Sequence, residues 1–249
     1  MPKVANEVYI TDPNQREGWD FEVVQRRFPM PEEFGGGPSP MFGNYRSDTG
    51  QFLGGVSEQY GLVQNSTLLD RAEEAFAKRN MIPSDRQICI SEGGKRMKAV
   101  YDFKNEVIQL PTVGEELGFR LMVTNSFDRS LRVSFALGFL RLVCTNGMQT
   151  LEKELDMLKK HSKSLDIDSL LTDSALDKAM ARFTDAGAVY GNLAKLGITQ
   201  DQGVYALQNQ ANTGLISEKV REGMNSVWNN PREDGADGSV GDGRNLYQL

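Results

Sequence analysis

Gly118–Met148 reads GFRLMVTNSFDRSLRVSFALGFLRLVCTNGM, and the fold turns on it. Phe119, Leu121 and Val123 alternate with Arg120, Met122 and Thr124. Leu131, Val133, Phe135 and Leu137 alternate with Arg132, Ser134 and Ala136. Period-two alternation puts one set in a core and the other on the opposite face of a strand. Asn125 to Ser130, rich in turn formers, lies between them, so the stretch predicts a β-hairpin. Loop parity decides its register. Only an odd loop places both apolar sets on one face, so a loop of about three or five residues is expected. Arg120 and Arg132 then fall together on the other face, which an antiparallel sheet commonly leaves wet.

Downstream, Phe139 to Cys144 reads as a buried strand. Thr145 or Asn146 can cap a helix, because its side-chain oxygen accepts from an orphan N–H. Met148, Leu151, Leu155 and Leu158 recur at helical spacing, which predicts a helix directly after the strand. Thr145, Asn146 and Gly147 form a tight turn there, structural or anion-holding. Glu152, Lys153, Glu154, Lys159 and Lys160 fit a solvated helix face.

Upstream, residues 1–40 read as an irregular arm, punctuated by Gly35-Gly36-Gly37-Pro38. Asn44 to Arg46 and Phe52 to Val56 predict a hairpin around Ser47-Asp48-Thr49-Gly50. Tyr60 to Gln64 reads as a further extended segment. Ser66 or Thr67 caps a helix carrying Leu68, Leu69, Ala72, Ala75 and Phe76, which Pro83 breaks. Arg86 to Ile90 and Met97 to Phe103 predict a second hairpin, and Glu106 to Leu110 a short strand. Further on, Asp166 to Leu171 predicts a short helix. A longer one from Asp173 carries Leu176, Met180 and Phe183, with a bend at Gly187 or Gly191. Thr199 and Ser217 cap two more.

The expected class is therefore α+β: N-terminal antiparallel hairpins in a meander with one packed helix, then a helical C-terminal half. The expected organisation is a 1–40 arm, a 41–163 core, a 164–228 helical region and a flexible Gly/Asp-rich tail over 229–249.

Composition narrows the function. The 249 residues carry a formal net charge of -6, so a nucleic-acid role needs a local basic patch. The cysteines, Cys89 and Cys144, sit in apolar runs and suit a reducing compartment. The start, Met1 to Tyr9, does not read as a signal peptide, and the longest apolar run is too short for a bilayer. A cytoplasmic protein without a membrane partner is expected. The single histidine, His161, reads as a plain surface residue, and no serine elbow accompanies it. Cys144 reads as structural. Asp234, Asp237 and Asp242 match no calcium loop. No catalytic residue, metal site or cofactor is expected, and the chain does not read as an enzyme.

Asn44-Tyr45-Arg46-Ser47-Asp48-Thr49-Gly50, Leu53-Gly54-Gly55-Val56-Ser57, Tyr60 and Val63-Gln64-Asn65 resemble the N-terminal signature of a phage- and plasmid-like family, domain of unknown function 932. Thr124 to Asp128 and Arg141 to Met148 resemble its second signature. Trp228 and Arg244 to Leu249 resemble the start of its C-terminal block. The family pattern continues beyond the last residue, so a short or truncated member is expected. The resemblance implies a mobile-element protein, in a host cytoplasm if phage-encoded, and names no reaction. The order of helix, meander and helix is also similar, at fold level only, to phage single-strand annealing proteins.

The leading expectation is single-stranded DNA binding or annealing by a homo-oligomer. Its cations are Lys95, Arg96, Lys98, Arg120, Arg129 and Arg132, with Phe127 and Tyr101 as stacking aromatics. The alternatives are an interaction module that inhibits a host defence protein or host enzyme, a virion or assembly protein, and a metal-dependent enzyme.

Overall fold

The structure, a computed structural model, describes residues 7–12, 14–110, 115–141 and 151–229, without the side chains of 104–107, 109–110, 115–116, 139–141, 151–156 and 227. The class is α+β, as the sequence pattern predicts. The chain forms two compact units. The first comprises Met1–Asn105, Phe119–Gly138 and Lys153–Ala179; the second comprises Glu106–Gly118, Phe139–Glu152 and Met180–Leu249.

The strands are β1 (Val8–Ile10), β2 (Val23–Pro29), β3 (Pro38–Arg46), β4 (Phe52–Ser57), β5 (Asp85–Ser91), β6 (Arg96–Leu110), β7 (Glu115–Ser126), β8 (Val133–Arg141) and β9 (Leu151–Lys159). The helices are α1 (Asn65–Ala77), α2 (Asp173–Lys195), α3 (Gln200–Asn212) and α4 (Glu218–Asn229). One sheet has the order β1-β5-β6-β7-β8-β9, and a three-stranded sheet has the order β2-β3-β4.

The central hairpin forms as its alternation requires, except that Leu131 lies before β8 and is exposed. Phe119, Leu121, Val123, Val133, Phe135 and Leu137 are all buried. The hydroxyls of Thr124 and Ser134 meet at 2.7 Å, which sets these residues opposite each other with an odd number between them. The opposite face of β8 is not wet: Ser134 and Ala136 are buried too.

The first unit's core lies between α1 and the six-stranded sheet. Leu68, Leu69, Ala72 and Phe76 of α1 are buried. Phe76 meets Tyr101 and Phe103 edge-on, at centroid distances of 5.3 and 4.8 Å. A second cluster joins Phe21, Val23, Leu53 and Phe127. In the second unit Gly203 of α3 lies against the Trp228 ring of α4, and the indole N–H donates to the Gln200 carbonyl at 3.0 Å.

Several expectations are corrected. The described residues from 7 to 40 are not an irregular arm: they contain β1, β2 and the start of β3, and bury Trp19 and Phe21. Helix α1 begins at Asn65 behind Gln64, so neither Ser66 nor Thr67 caps it. Gln64 is engaged elsewhere, exchanging hydrogen bonds of 3.0 and 2.8 Å with the Val23 backbone. The helix ends at Ala77, before Pro83, and Asn80 takes a left-handed turn at φ 54°. Tyr60 to Gln64 joins no sheet. β6 runs unbroken through Glu106 to Leu110. Asp166 to Leu171 forms turns, with Leu170 N–H bonded to Ile167, and α2 continues through Gly187 and Gly191.

The largest correction is β9, where a helix was expected. Leu151, Leu155 and Leu158 fit a helical face, but Leu151, Lys153, Leu155 and Met157 fit period two equally well. Pairing beside β8 decides for the strand. Thr199 does cap α3, in a reciprocal capping box with Gln202, and Ser217 Oγ accepts from Val220 N–H at the start of α4. Among the described residues, no helix is long and apolar enough to cross a membrane.

Candidate nucleic-acid interface

Three hairpin tips of the first unit meet at one end. The β5–β6 tip reaches the β7–β8 tip through Phe127 N–H, which donates to the Lys95 carbonyl at 2.8 Å. Arg96 Nε donates to Ser130 Oγ at 2.6 Å. The β3–β4 tip joins at Gly93, where an added Cβ would stand 2.4 Å from the Gln51 amide nitrogen. It joins again at Gly54, packed directly on the Asp128 backbone.

The residues that carry the family resemblance build this joint. Asn44 Nδ2 donates to the Phe127 carbonyl at 2.7 Å, and Tyr60 OH donates to the Ser126 carbonyl at 2.7 Å. Asn125 Nδ2 donates to Asn65 Oδ1 at 2.9 Å and to the Val63 carbonyl at 3.0 Å. Asn65 Nδ2 donates to the Trp19 carbonyl at 3.2 Å. All three asparagines are buried, so these bonds replace water that cannot reach them. Burial pushes the Tyr60 phenol above its ordinary range, which keeps it a donor. His161 is not a plain surface residue. It stacks on Tyr60 at 4.8 Å, its Nδ1 lies 3.2 Å from the Gly61 carbonyl, and burial lowers its pKa.

The predicted cations divide. Arg120 is spent: it forks onto Asp102, with Nη2 at 2.6 Å from Oδ2, and both side chains are nearly buried. Arg96 is bound to Glu92 at 2.8 Å and lies 4.0 Å from Asp128. Lys95, Lys98, Arg129 and Arg132 have no carboxylate partner among the described residues. Arg129 and Arg132 are exposed on the β7–β8 tip, Lys95 is half-buried on the β5–β6 tip, and Lys98 is exposed farther along β6. The structure thus joins the tip bearing Lys95 and Arg96 to the tip bearing Arg129 and Arg132, and leaves Arg120 out.

The expected stacking aromatics are also out of reach: Phe127 and Tyr101 are both fully buried. Tyr101 instead donates to Glu73 at 3.0 Å, in a network where Arg86 also reaches Glu73 at 3.1 Å. Thr145, Asn146, Gly147 and Cys144, and the tail over 230–249, lie outside the described residues.

The sequence predicts the β3–β4 hairpin but gives no sign that its tip joins the other two. Arg46 there is paired to Asp48 at 2.7 Å and lies over the Phe21 ring at 3.9 Å. The hydrogen bond from Arg46 lowers the Asp48 carboxyl to about 2. The sequence places Gly54 in a strand and Asp128 in a turn, and nothing in it joins them.

No curated protein and no solved structure matches the chain. The family model described as a domain of unknown function (DUF932) matches residues 52–245, and the chain belongs to that family.

Proposed function

We propose that this protein binds single-stranded nucleic acid, with the joined β5–β6 and β7–β8 tips as its phosphate contact. The observation that supports the reading is the group Lys95, Arg129 and Arg132, without a carboxylate partner among the described residues, on tips joined by the Phe127–Lys95 backbone hydrogen bond and the Arg96–Ser130 side-chain bond. A rigid base lowers the entropy lost when long side chains settle on phosphates. The formal charge of -6 sets the limit: attraction is local and steeply dependent on salt. The cations hold the backbone and read no sequence.

The test is fluorescence anisotropy with labelled single-stranded and duplex DNA of equal length across a salt series. Single-strand preference that weakens with salt is expected. Arg129→Glu with Arg132→Glu should lower affinity for every sequence alike and flatten the salt slope by about one per lost phosphate contact. Wild-type protein that binds neither DNA at low salt would refute the proposal.

A further inference from the structure

The three-stranded sheet turns one face to the Val23–Leu53–Phe127 core. Its other face carries Val24, Arg26 and Phe28 of β2, Met41, Gly43 and Tyr45 of β3, and Phe52 and Gly55 of β4. The register sets this. Val24 opposes Tyr45, Tyr45 opposes Phe52, Arg26 opposes Gly43, and Gly43 opposes Gly55. A bulge beside Asn44 lets Leu53 turn inward while Phe52 turns outward.

Three rings gather on this face. Phe52 lies 5.3 Å from Tyr45 and 6.3 Å from Phe28, centroid to centroid. Phe52 is 47% exposed, and Met41, on the same face farther along β3, is 38% exposed. The Tyr45 ring covers Gly43 so closely that an added Cβ would stand 2.5 Å from its Cε2. Gly55 leaves open floor, with nothing within 4 Å of an added Cβ. The exposed Arg26 stands on the same face, while the flanking acids Glu32, Glu33 and Glu58 lie outside the strands, Glu58 bound by Arg27 at 3.4 Å.

We infer that this face is a stacking platform for unpaired bases, on the reading that the chain binds a single strand. The rings are tilted 55° to one another, so the exposed face of Phe52 beside the open Gly55, with a cation for the backbone, suits any single base because every base offers a π-face. Paired bases in a duplex have those faces covered, so the platform selects single strands. The strand's chemistry also fits the location. Tyr45 and Phe52 border the β3–β4 tip, and that tip touches the tip carrying Lys95 through Gln51 and Gly93. One strand can stack on the rings and place its phosphates on the cations.

The test uses the full chain with two labelled probes of equal length and charge: oligothymidylate and an abasic oligonucleotide. Wild type should prefer oligothymidylate. Phe52→Ala should weaken oligothymidylate binding about tenfold, leave abasic binding unchanged, and leave the melting curve near wild type. Phe52→Trp should restore binding and show fluorescence quenching by oligothymidylate alone. If Phe52→Ala leaves oligothymidylate affinity intact while charge reversal at Arg129 and Arg132 abolishes it, the platform is refuted and the phosphate contact stands. If wild type binds neither probe, both fall.

Discussion

Asn125→Ala tests the joint most directly. The side chain is fully buried, and its amide nitrogen serves two acceptors, the Val63 carbonyl at 3.0 Å and Asn65 Oδ1 at 2.9 Å. Alanine cannot serve either, and water has no ready path to them. Each buried acceptor left unpaired costs ~1–3 kcal/mol, so a total near 3 kcal/mol is expected. For a chain of this size that lowers Tm by roughly 6–12 °C. Urea unfolding followed by circular dichroism measures the loss, with the denaturant slope unchanged if the folded state stays compact. The double variant Asn65→Ala/Asn125→Ala should lose less than the sum of the single losses, because both delete the same bond. A loss below about 1 kcal/mol for Asn125→Ala, or strict additivity in the double variant, would show that the network carries little of the joint's stability.

Other substitutions separate packing from charge. Gly54→Ala puts a Cβ 2.7 Å from the Asp128 α-carbon, so a loss of ~1–3 kcal/mol in urea unfolding is expected. Gly203→Ala drives a Cβ to 2.2 Å from the Trp228 ring and should part α3 from α4, seen as a shift in tryptophan emission. Arg120→Ala strands the Asp102 carboxylate in a nearly buried site and should destabilise by ~3 kcal/mol, while Arg129→Glu, fully exposed, should change stability by less than ~0.5 kcal/mol. His161 is held below its ordinary 6.5 by burial, so the unfolded chain binds its proton first. Its contribution is present above pH 6.5 and is lost as pH falls from there toward the folded value; His161→Phe should flatten stability over that window while keeping the stack on Tyr60.

Legibility followed the range of the interaction. The alternation of Phe119, Leu121 and Val123 is local, and it placed them in the core correctly. The Thr199–Gln202 capping box is equally local. β9 failed because Leu151 and Leu155 are four apart, a spacing that both a helix and a strand accept; the neighbour across the sheet chose. Trp19 and Phe21 failed because single aromatics between charged residues show no period, and only the packing of Trp19 under Asn65 reveals the burial. Arg120 was placed on the intended face, yet its partner Asp102 comes from the next strand, 18 residues away. No pattern along β7 announces that pair. The stacking face shows the same limit: Phe28, Tyr45 and Phe52 lie far apart in sequence and meet only through register.

The motif residues bear on where function is to be sought. Asn44, Gly54, Tyr60, Gln64 and Asn65 from the first signature, and Asn125 to Asp128 from the second, make hydrogen bonds and close approaches to one another, to the Val23 and Trp19 backbone, and to Lys95, Ser130 and Leu131 of the tips. The Nδ2 donors of Asn44 and Asn125 and the Tyr60 hydroxyl proton are engaged in this way, and burial closes these side chains to an outside ligand. Their role is to fix three hairpin tips against each other, and just beyond them stand Lys95, Arg129 and Arg132, without a carboxylate partner among the described residues, and the exposed Phe52. The two layers separate by experiment. Substitutions in the joint should lower stability and DNA affinity together, whereas substitutions at the tips should lower affinity alone. A joint variant that keeps wild-type stability but loses binding would place the motif asparagines in direct contact with ligand and overturn this division.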